Sequence, residues 1–270
     1  MTDSSTDSPL PGEISRFRVG AVEVMAVDEP FVADHVASAW KRDEGGSIVT
    51  ANVDIVRLAT RDPELAALVD GADLVVADGM PVVWAARLAG HPLPGRVTGA
   101  SLVFSLSERA AREGRSIFLL GGERGVADEA ARVLVERYPG LRVAGTYAPP
   151  FGFETTSEGV REAVDRVLAA APDLVLVGLG FPKQERLIAA IRGRLPGAWY
   201  LGCGAGIPMA AGQFRRAPES VQRMGGEWLY RLWLEPRRLA GRYLRHDLPF
   251  ALKVLTAAAL TRLAGPRSRP

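Results

Sequence analysis

The feature that most constrains the fold of this chain is a regular alternation of short apolar runs with amphipathic segments, which begins at residue 47. The apolar runs show little polar alternation, as expected for strands covered on both faces of a sheet. They are SIVT (47–50), ADLVVA (72–77), SIFLLG (116–121), LRVAGTY (141–147), DLVLVGLG (173–180) and AWYLGC (198–203). The intervening segments repeat apolar residues at three- and four-residue spacing, which is typical of amphipathic helices. The alternation predicts an α/β fold with a Rossmann-like, doubly wound and mostly parallel sheet.

The two ends of the chain depart from this alternation. Residues 1–13 are polar and contain proline, which predicts a disordered N-terminal tail rather than a signal peptide. The following segment, SRFRVGAVEVMAV (15–27), predicts a small hairpin at the edge of the sheet. We therefore expect an α/β core over residues 14–212 and a helical appendage over residues 213–270. Breaks in the appendage are expected near Gly225-Gly226, Pro236 and Pro249.

Charge is unevenly distributed along the chain, although the formal net charge is only +2. Residues 213–270 contain 12 Lys and Arg residues and four Asp and Glu residues, a local net charge of +8, so the preceding residues carry −6. Eight arginines lie between residues 215 and 245. An arginine-rich appendage on an acidic body indicates contact with phosphate groups or an anionic membrane surface, and a solvated helix face is the alternative.

Two apolar segments of the appendage raise the question of what covers them. Residues 248–264 include two charged residues and are short for a membrane span, so we expect them to lie in the membrane interface or to pack on the core. The stripe WLYRLWL (228–234) is expected to bury its tryptophans against the core. Burial against a second subunit, in a homo-oligomer, is the alternative.

Several cofactor classes find no support in the sequence. The single cysteine, Cys203, excludes an internal disulfide and a cysteine-cluster zinc site, which fits a reducing cytoplasm. The three histidines lack ligand spacing, and neither a Walker sequence nor an Asp-x-Asp pair occurs. Gly178 and Gly180 lack the third glycine of a dinucleotide fingerprint, which disfavours a nicotinamide oxidoreductase. We therefore expect no cofactor and no metal, and no motif indicates a nucleic-acid partner.

Polar residues and glycines cluster where the predicted strands end. Ligands of open parallel sheets bind beyond the carboxyl ends of the strands, so this clustering predicts a site on one edge. The members are Thr50, Asn52, Asp78-Gly79, Gly121-Gly122 and the segment GLGFPKQE (178–185). Each has a structural alternative. Asp78, Thr50 and Asn52 suit helix N-caps, and the Gly121-Gly122 turn suits either an anion held by backbone amides or an ordinary tight turn.

Six motifs in this chain resemble those of one known family. They are TANVD, ADGMPVVWAARLAGHPLPGRVTGASLV, FLLGGERGVADEAA, VGLGFPKQE, GCGAGIPMAAGQFRRAP and GGEWLYRLWLEPRRLAGRYL. Together they run from roughly residue 48 to residue 245 in the family's order. The sequence thus resembles the WecG/TagA/CpsF glycosyltransferases, glycosyltransferase family 26.

The resemblance implies a cytoplasmic, inverting, metal-independent glycosyltransferase that associates peripherally with the inner face of the cell membrane. It would move N-acetylmannosamine, its uronate or glucose from a UDP-sugar to a polyprenyl-diphosphate-linked saccharide. The product would enter cell-surface polysaccharide or teichoic-acid-type biosynthesis. The alternatives are a noncatalytic scaffold of polysaccharide assembly and a nucleotide-binding oxidoreductase.

The resemblance also implies roles for individual residues. Asp78 corresponds to the family's aspartate that takes the proton from the acceptor hydroxyl. Residues implied to bind donor or acceptor are Thr50, Asn52, Arg96, Gln184, Arg231, Arg238 and Arg242. The three arginines of the appendage would fold over the site and hold the diphosphate. The chain departs from the family at Ile207-Pro208, where Phe-Asp is common, and at Gly226, where leucine is common.

Overall fold

A computed structural model describes residues 14–91, 93–214, 226–234, 241 and 243–263. Over these residues the strands are β1 (Arg16–Val19), β2 (Val22–Met25), β3 (Gly46–Ala51), β4 (Leu74–Ala77), β5 (Ser116–Gly121), β6 (Arg142–Tyr147), β7 (Leu174–Gly178) and β8 (Trp199–Gly202). The first helices are α1 (Glu29–Trp40), α2 (Val53–Arg61), α3 (Pro63–Asp70), α4 (Met80–Ala89) and α5 (Gly99–Arg112). The later helices are α6 (Val126–Arg137), α7 (Ser157–Ala170), α8 (Lys183–Arg192), α9 (Gly206–Ala210), α10 (Glu227–Leu234) and α11 (Leu248–Leu263).

The described strands form one sheet of eight, in the order β1-β2-β4-β3-β8-β7-β5-β6. β1 and β2 pair antiparallel as a hairpin, and the other neighbouring strands pair parallel. The predicted α/β class, the mostly parallel sheet and the edge hairpin are therefore confirmed. All six apolar runs of the sequence form strands at the expected places.

Helices cover both faces of the sheet. This explains why the strands carry apolar residues on both of their sides. One face packs against α1, α5, α6 and α9. The opposite face packs against α2 and α4 at one end and against α7 and α8 at the other. Neighbouring strands β3 and β8 are followed by helices on opposite faces, α2 and α9, and such a change of side opens a crevice beyond the strand ends.

Two helical features differ from the sequence-based expectation. Residues 29–40 form α1, a helix that the sequence patterns do not predict, and its N-cap Asp28 accepts a hydrogen bond from the Phe31 amide. The helical pattern of residues 52–69 is two helices, because Asp62 ends α2 and caps α3 while Pro63 occupies the first turn of α3. Proline fits that position since it has no amide to leave unpaired.

The C-terminal part of the described chain is helical, as expected. α10 is followed after a gap by a π-helical turn, Tyr243–Asp247, and then by α11. Pro249 lies in the first turn of α11, so it begins this helix instead of breaking it. No helix among the described residues is both long and apolar enough to cross a membrane.

Three sequence-based expectations lie beyond what the structure describes. The N-terminal tail 1–13 and the expected breaks at Gly225 and Pro236 fall outside the described residues. The division into a core of 14–212 and an appendage of 213–270 stays a prediction.

Candidate active site

The carboxyl ends of β3 and β4 bring Asn52 and Asp78 to the same edge of the sheet. The two strands are parallel neighbours with their last residues, Ala51 and Ala77, in register. The Asp78 amide donates to the Ala51 carbonyl at 2.9 Å, and the Val97 amide donates to the Ala77 carbonyl at 2.8 Å. These two bonds join three chain segments directly at Asp78, which is half-buried.

Arg96 lies beside this junction because its neighbour Val97 is bonded to the end of β4. Its side chain is half-buried. Thr98 then caps α5 by accepting from the Ser101 amide at 3.0 Å, so the N-terminus of α5 also faces the edge. Asp78 and Arg96, which belong to the same sequence motif, thus lie next to each other at this edge.

Of the three candidate residues that could have been helix N-caps, only one has that role. The N-cap of α4 is Gly79, at φ +91°, so capping by Asp78 as the N-cap residue is wrong. Asn52 is the N-cap of α2, and its side-chain oxygen accepts from the Ile55 amide at 3.0 Å, which confirms the structural alternative for this residue. Thr50 lies within β3, is 6% exposed, and pairs with Val76 rather than capping α2.

Gly121 and Gly122 allow the ends of β5 and β7 to approach closely. A Cβ on Gly121, at φ +125°, would lie 2.5 Å from the Gly178 carbonyl oxygen. The Gly122 amide points to the same oxygen at 3.4 Å, and Gly125 at φ +84° begins α6. Packing therefore accounts for both glycines, and anion binding by this turn stays a prediction.

Gln184 lies in the first turn of α8 and is 3% exposed. Its side-chain oxygen accepts from the amides of Gly180 and Gly204, each at 3.1 Å. Its side-chain nitrogen donates to Glu185 Oε1 at 2.8 Å. The carboxamide thus joins the loops after β7 and β8, and its predicted contact with donor or acceptor stays a prediction.

Glu185 is a buried carboxylate that the sequence reasoning did not single out. It is 4% exposed, and its Oε2 atom has no hydrogen-bond partner among the described residues. Burial raises the pKa of the Glu185 carboxyl to about 7, although the hydrogen bond from Gln184 lowers it. Burial also raises the pKa of the neighbouring Cys203 thiol to about 12, so that this thiol is neutral at physiological pH.

The position where the family commonly has Phe-Asp is apolar here and supports the glycine loops. Ile207 is fully buried in α9. A Cβ on Gly178 would lie 3.0 Å from the Ile207 side chain and 2.9 Å from the Gly204 carbonyl oxygen. Ile207 therefore packs beneath the loops that follow β5, β7 and β8.

The C-terminal helix docks on the two helices that begin at the site. α11 packs against α4 and α2 through Phe250, Val254, Leu255 and Ala258. Arg57 of α2 is 7% exposed and pairs with Asp54 and, at 3.3 Å, with Asp247 at the start of α11. A desolvated arginine between two carboxylates holds this end of α11 against the core.

The appendage arginines and tryptophans have different outcomes. Arg231 lies in α10, whereas Arg238 and Arg242 lie outside the described residues. Trp233 is 76% exposed, so its expected burial against the core is wrong, whereas the side chain of Trp228 lies outside what the structure describes. Its ring instead lies 6.4 Å from that of Tyr230 on the same helix.

The fold and the edge geometry define an open α/β protein with a ligand site beyond the carboxyl ends of its parallel strands. The sequence model of the Glycosyl transferase WecG/TagA/CpsF family matches residues 17–264. The chain therefore belongs to the WecG/TagA/CpsF glycosyltransferase family, and it is an enzyme of the transferase class.

Two similar proteins carry the name N-acetylglucosaminyldiphosphoundecaprenol N-acetyl-beta-D-mannosaminyltransferase. The protein from Bacillus spizizenii is 33% identical over 208 residues, which cover 77% of this chain and 79% of the relative. The protein from Staphylococcus aureus is 32% identical over 192 residues, which cover 71% of this chain and 73% of the relative.

Proposed function

We propose that this enzyme transfers an N-acetylmannosaminyl group from a UDP-sugar to N-acetylglucosamine linked to a polyprenyl diphosphate. The names of the similar proteins support this donor sugar and this acceptor. They favour N-acetylmannosamine over the uronate and glucose. The observation that carries the proposal is the position of Asp78, half-buried at the carboxyl edge beside Asn52 and Arg96.

In the proposed reaction Asp78 is the general base. The acceptor hydroxyl attacks the anomeric carbon of the donor sugar, and the Asp78 carboxylate takes the hydroxyl proton. The bond between the anomeric carbon and the phosphate oxygen breaks, UDP leaves with the electron pair, and the anomeric configuration inverts. A positioned base typically contributes a factor of about 10²–10⁴ to the rate of such a step.

The leaving diphosphate needs positive charge near the site, and we propose that the protein supplies it without a metal. Arg96 lies beside the Asp78 junction. The N-termini of α2, α4, α5, α6 and α8 follow the same edge, and helix N-termini favour anions. Arg231, Arg238 and Arg242 of the appendage are proposed to complete this environment by closing over the bound donor.

The acceptor is a lipid, so we propose that the enzyme works at the cytoplasmic face of the membrane in the synthesis of a cell-surface polymer. α11 leaves Leu248, Leu252, Leu260 and Leu263 between 45% and 83% exposed while its other side packs on the core. Exposed cationic side chains flank these leucines at Lys253 and Arg262. An apolar helix face with basic residues suits the interface of an anionic bilayer.

A transfer assay with the purified chain tests the proposed function. UDP-N-acetylmannosamine, its uronate and UDP-glucose would each be offered with N-acetylglucosaminyl-diphosphoundecaprenol. We expect a disaccharide-lipid product from UDP-N-acetylmannosamine and little from the other donors. Product from another donor alone would overturn the choice of sugar. Absence of product and of donor hydrolysis with every donor would instead favour the scaffold alternative.

A further inference from the structure

Glu185 occupies a buried position beneath the end of β8, close to the candidate site. Gly202, the last residue of β8, leaves room for its carboxylate, since a Cβ there would lie 2.8 Å from Glu185 Oε1. The same Cβ would lie 2.5 Å from the Gln184 side-chain nitrogen. Gln184 and Glu185 therefore share a space that only a glycine at position 202 leaves open.

This carboxylate is unfavourable for stability. It is 4% exposed, and one of its two oxygens has no hydrogen-bond partner in the described part of the chain. Burial of an unpaired polar atom is costly, because the atom loses its hydrogen bonds to water and gains none in the protein. Because buried polar groups without full partners are rare in native proteins, this one calls for a reason other than folding stability.

The contacts of Gln184 supply that reason. A carboxamide has an accepting end and a donating end, and the two can exchange by rotation about one bond. The loop amides of Gly180 and Gly204 both require the accepting end. Glu185 Oε1 accepts from the donating end at 2.8 Å and so fixes the orientation that serves both loops.

The two loops fixed in this way border the candidate site. Gly178 and Gly204 approach so closely that a Cβ on Gly178 would lie 2.9 Å from the Gly204 carbonyl oxygen. Gly121 at the end of β5 is in turn packed against Gly178. The contact chain therefore runs from Glu185 through Gln184 to the glycine loops at the carboxyl ends of three neighbouring strands.

We propose that Glu185 is a positioning residue of the transferase, which acts through Gln184 to hold the loops after β7 and β8 in the geometry that binds the donor nucleotide. The proposal rests on the proposed function, because it assigns the donor to this edge. Glu185 itself is buried and is not proposed to touch the substrate.

The test compares Glu185→Leu with Glu185→Gln. The leucine variant removes the accepting oxygen, whereas the glutamine variant retains one. For Glu185→Leu we expect kcat/KM for the donor to fall about tenfold or more, since small displacements of a binding geometry cost rate steeply. UDP affinity, measured by calorimetry, should fall by a similar factor. Glu185→Gln should recover both quantities to within about threefold.

A melting measurement at pH 8 separates positioning from loss of folding. Glu185→Leu should melt within a few degrees of wild type, because removal of a buried charge offsets the lost hydrogen bond. Ser107→Ala is the control, as Ser107 is fully buried in α5 and its hydroxyl donates to the Val103 carbonyl. It should leave transfer and UDP binding unchanged.

Gly202→Ala provides an independent test of the proposal if Glu185→Leu fails to fold. Its added methyl group should displace the Gln184–Glu185 pair and weaken UDP binding about tenfold. Wild-type UDP binding by Glu185→Leu or Gly202→Ala, or equal loss in the leucine and glutamine variants, would overturn the proposal. A wild-type chain that binds UDP but transfers no sugar would overturn the proposed function alone. A chain that does neither would overturn both.

Discussion

The backbone at Asp78 is hydrogen-bonded to two other segments of the chain. Its own amide donates to Ala51, and the preceding carbonyl accepts from Val97. Both bonds belong to the backbone, so a change of the side chain leaves them in place. Asp78 also precedes the N-cap of α4, so its substitution does not remove the N-cap residue. A substitution of the Asp78 side chain therefore retains both backbone hydrogen bonds and the N-cap of α4.

Asp78→Asn should therefore reduce transfer by at least about two orders of magnitude while UDP binding stays largely intact. The amide has nearly the same shape as the carboxylate but cannot take the acceptor proton. Initial rates with a lipid-linked acceptor and calorimetry with UDP would measure the two effects. Near-normal turnover by this variant would contradict the base assignment.

The pKa of Glu185 predicts a pH dependence of stability. The folded-state pKa of about 7 lies above the ordinary value of 4.5, so protonation favours the fold. The contribution of Glu185 to the free energy of unfolding should be fully present below pH 4.5 and should fall by up to about 3 kcal/mol as pH rises through 7. Glu185→Gln stays neutral and should lack this decline. Urea denaturation of the wild type and of Glu185→Gln at pH 5 and pH 8.5 measures this difference. An equal loss of unfolding free energy in the two proteins would refute the prediction.

At the scale of single residues, the sequence predicts which polar residues lie at the ends of the strands, but not the contacts that each side chain makes. Asn52 was predictable as an N-cap, because Asp, Asn and Ser are commonly found at the N-cap position of a helix. Gln184 lies three and four positions before Leu187 and Ile188, and the helical period therefore places it on the same, buried face of α8. Its partners Gly180 and Gly204 come from two different loops, and no local pattern predicts such tertiary contacts.

At the scale of elements, the strands were predictable because each is a nearly unbroken apolar run. α1 was missed since apolar residues dominate it, six of its twelve being buried, which blurs the polar face that marks an amphipathic helix. The break between α2 and α3 is signalled in the sequence by Asp62-Pro63, a cap followed by proline. The close approach of loops at Gly121 and Gly178 depends on which strands are neighbours, which the sequence does not specify.

That close approach predicts different costs for two glycine substitutions. Gly121→Ala adds a methyl group 2.5 Å from the Gly178 carbonyl oxygen, whereas Gly140→Ala meets nothing within 4 Å. Both glycines have positive φ, so an alanine at either position is strained by about 1–3 kcal/mol. Gly121→Ala should lose about 1–3 kcal/mol more through overpacking. Equal unfolding free energies of the two variants would contradict the packing argument.

At the scale of the whole molecule, α11 joins an apolar surface to the site helices. It packs on α2 and α4, and the buried Arg57 pairs with Asp247, the residue immediately before α11. α11 thus links its exposed outer face to the two helices whose N-caps are Asn52 and Gly79. The sequence indicated the apolar and basic character of this segment, but the face that stays exposed follows only from the packing.

Vesicle binding tests this surface. Leu252 and Leu260 are 57% and 60% exposed, so changing both to Glu should leave the core packing intact. Loss of two leucine side chains from an apolar interface should weaken binding to phosphatidylglycerol vesicles more than tenfold. Cosedimentation measures it, with Val135→Glu on α6, 42% exposed, as the control. Unchanged binding of the double variant would exclude this face as the membrane contact.

The strand order has a consequence for how the sheet is assembled. Among the described strands β8 comes last in the sequence, yet it lies between β3 and β7. Without residues 199–202 the described strands fall into two groups, β1-β2-β4-β3 and β7-β5-β6, which no other described strand joins. We therefore expect the sheet edge that carries Asp78 and the glycine loops to become continuous only when β8 pairs with both groups.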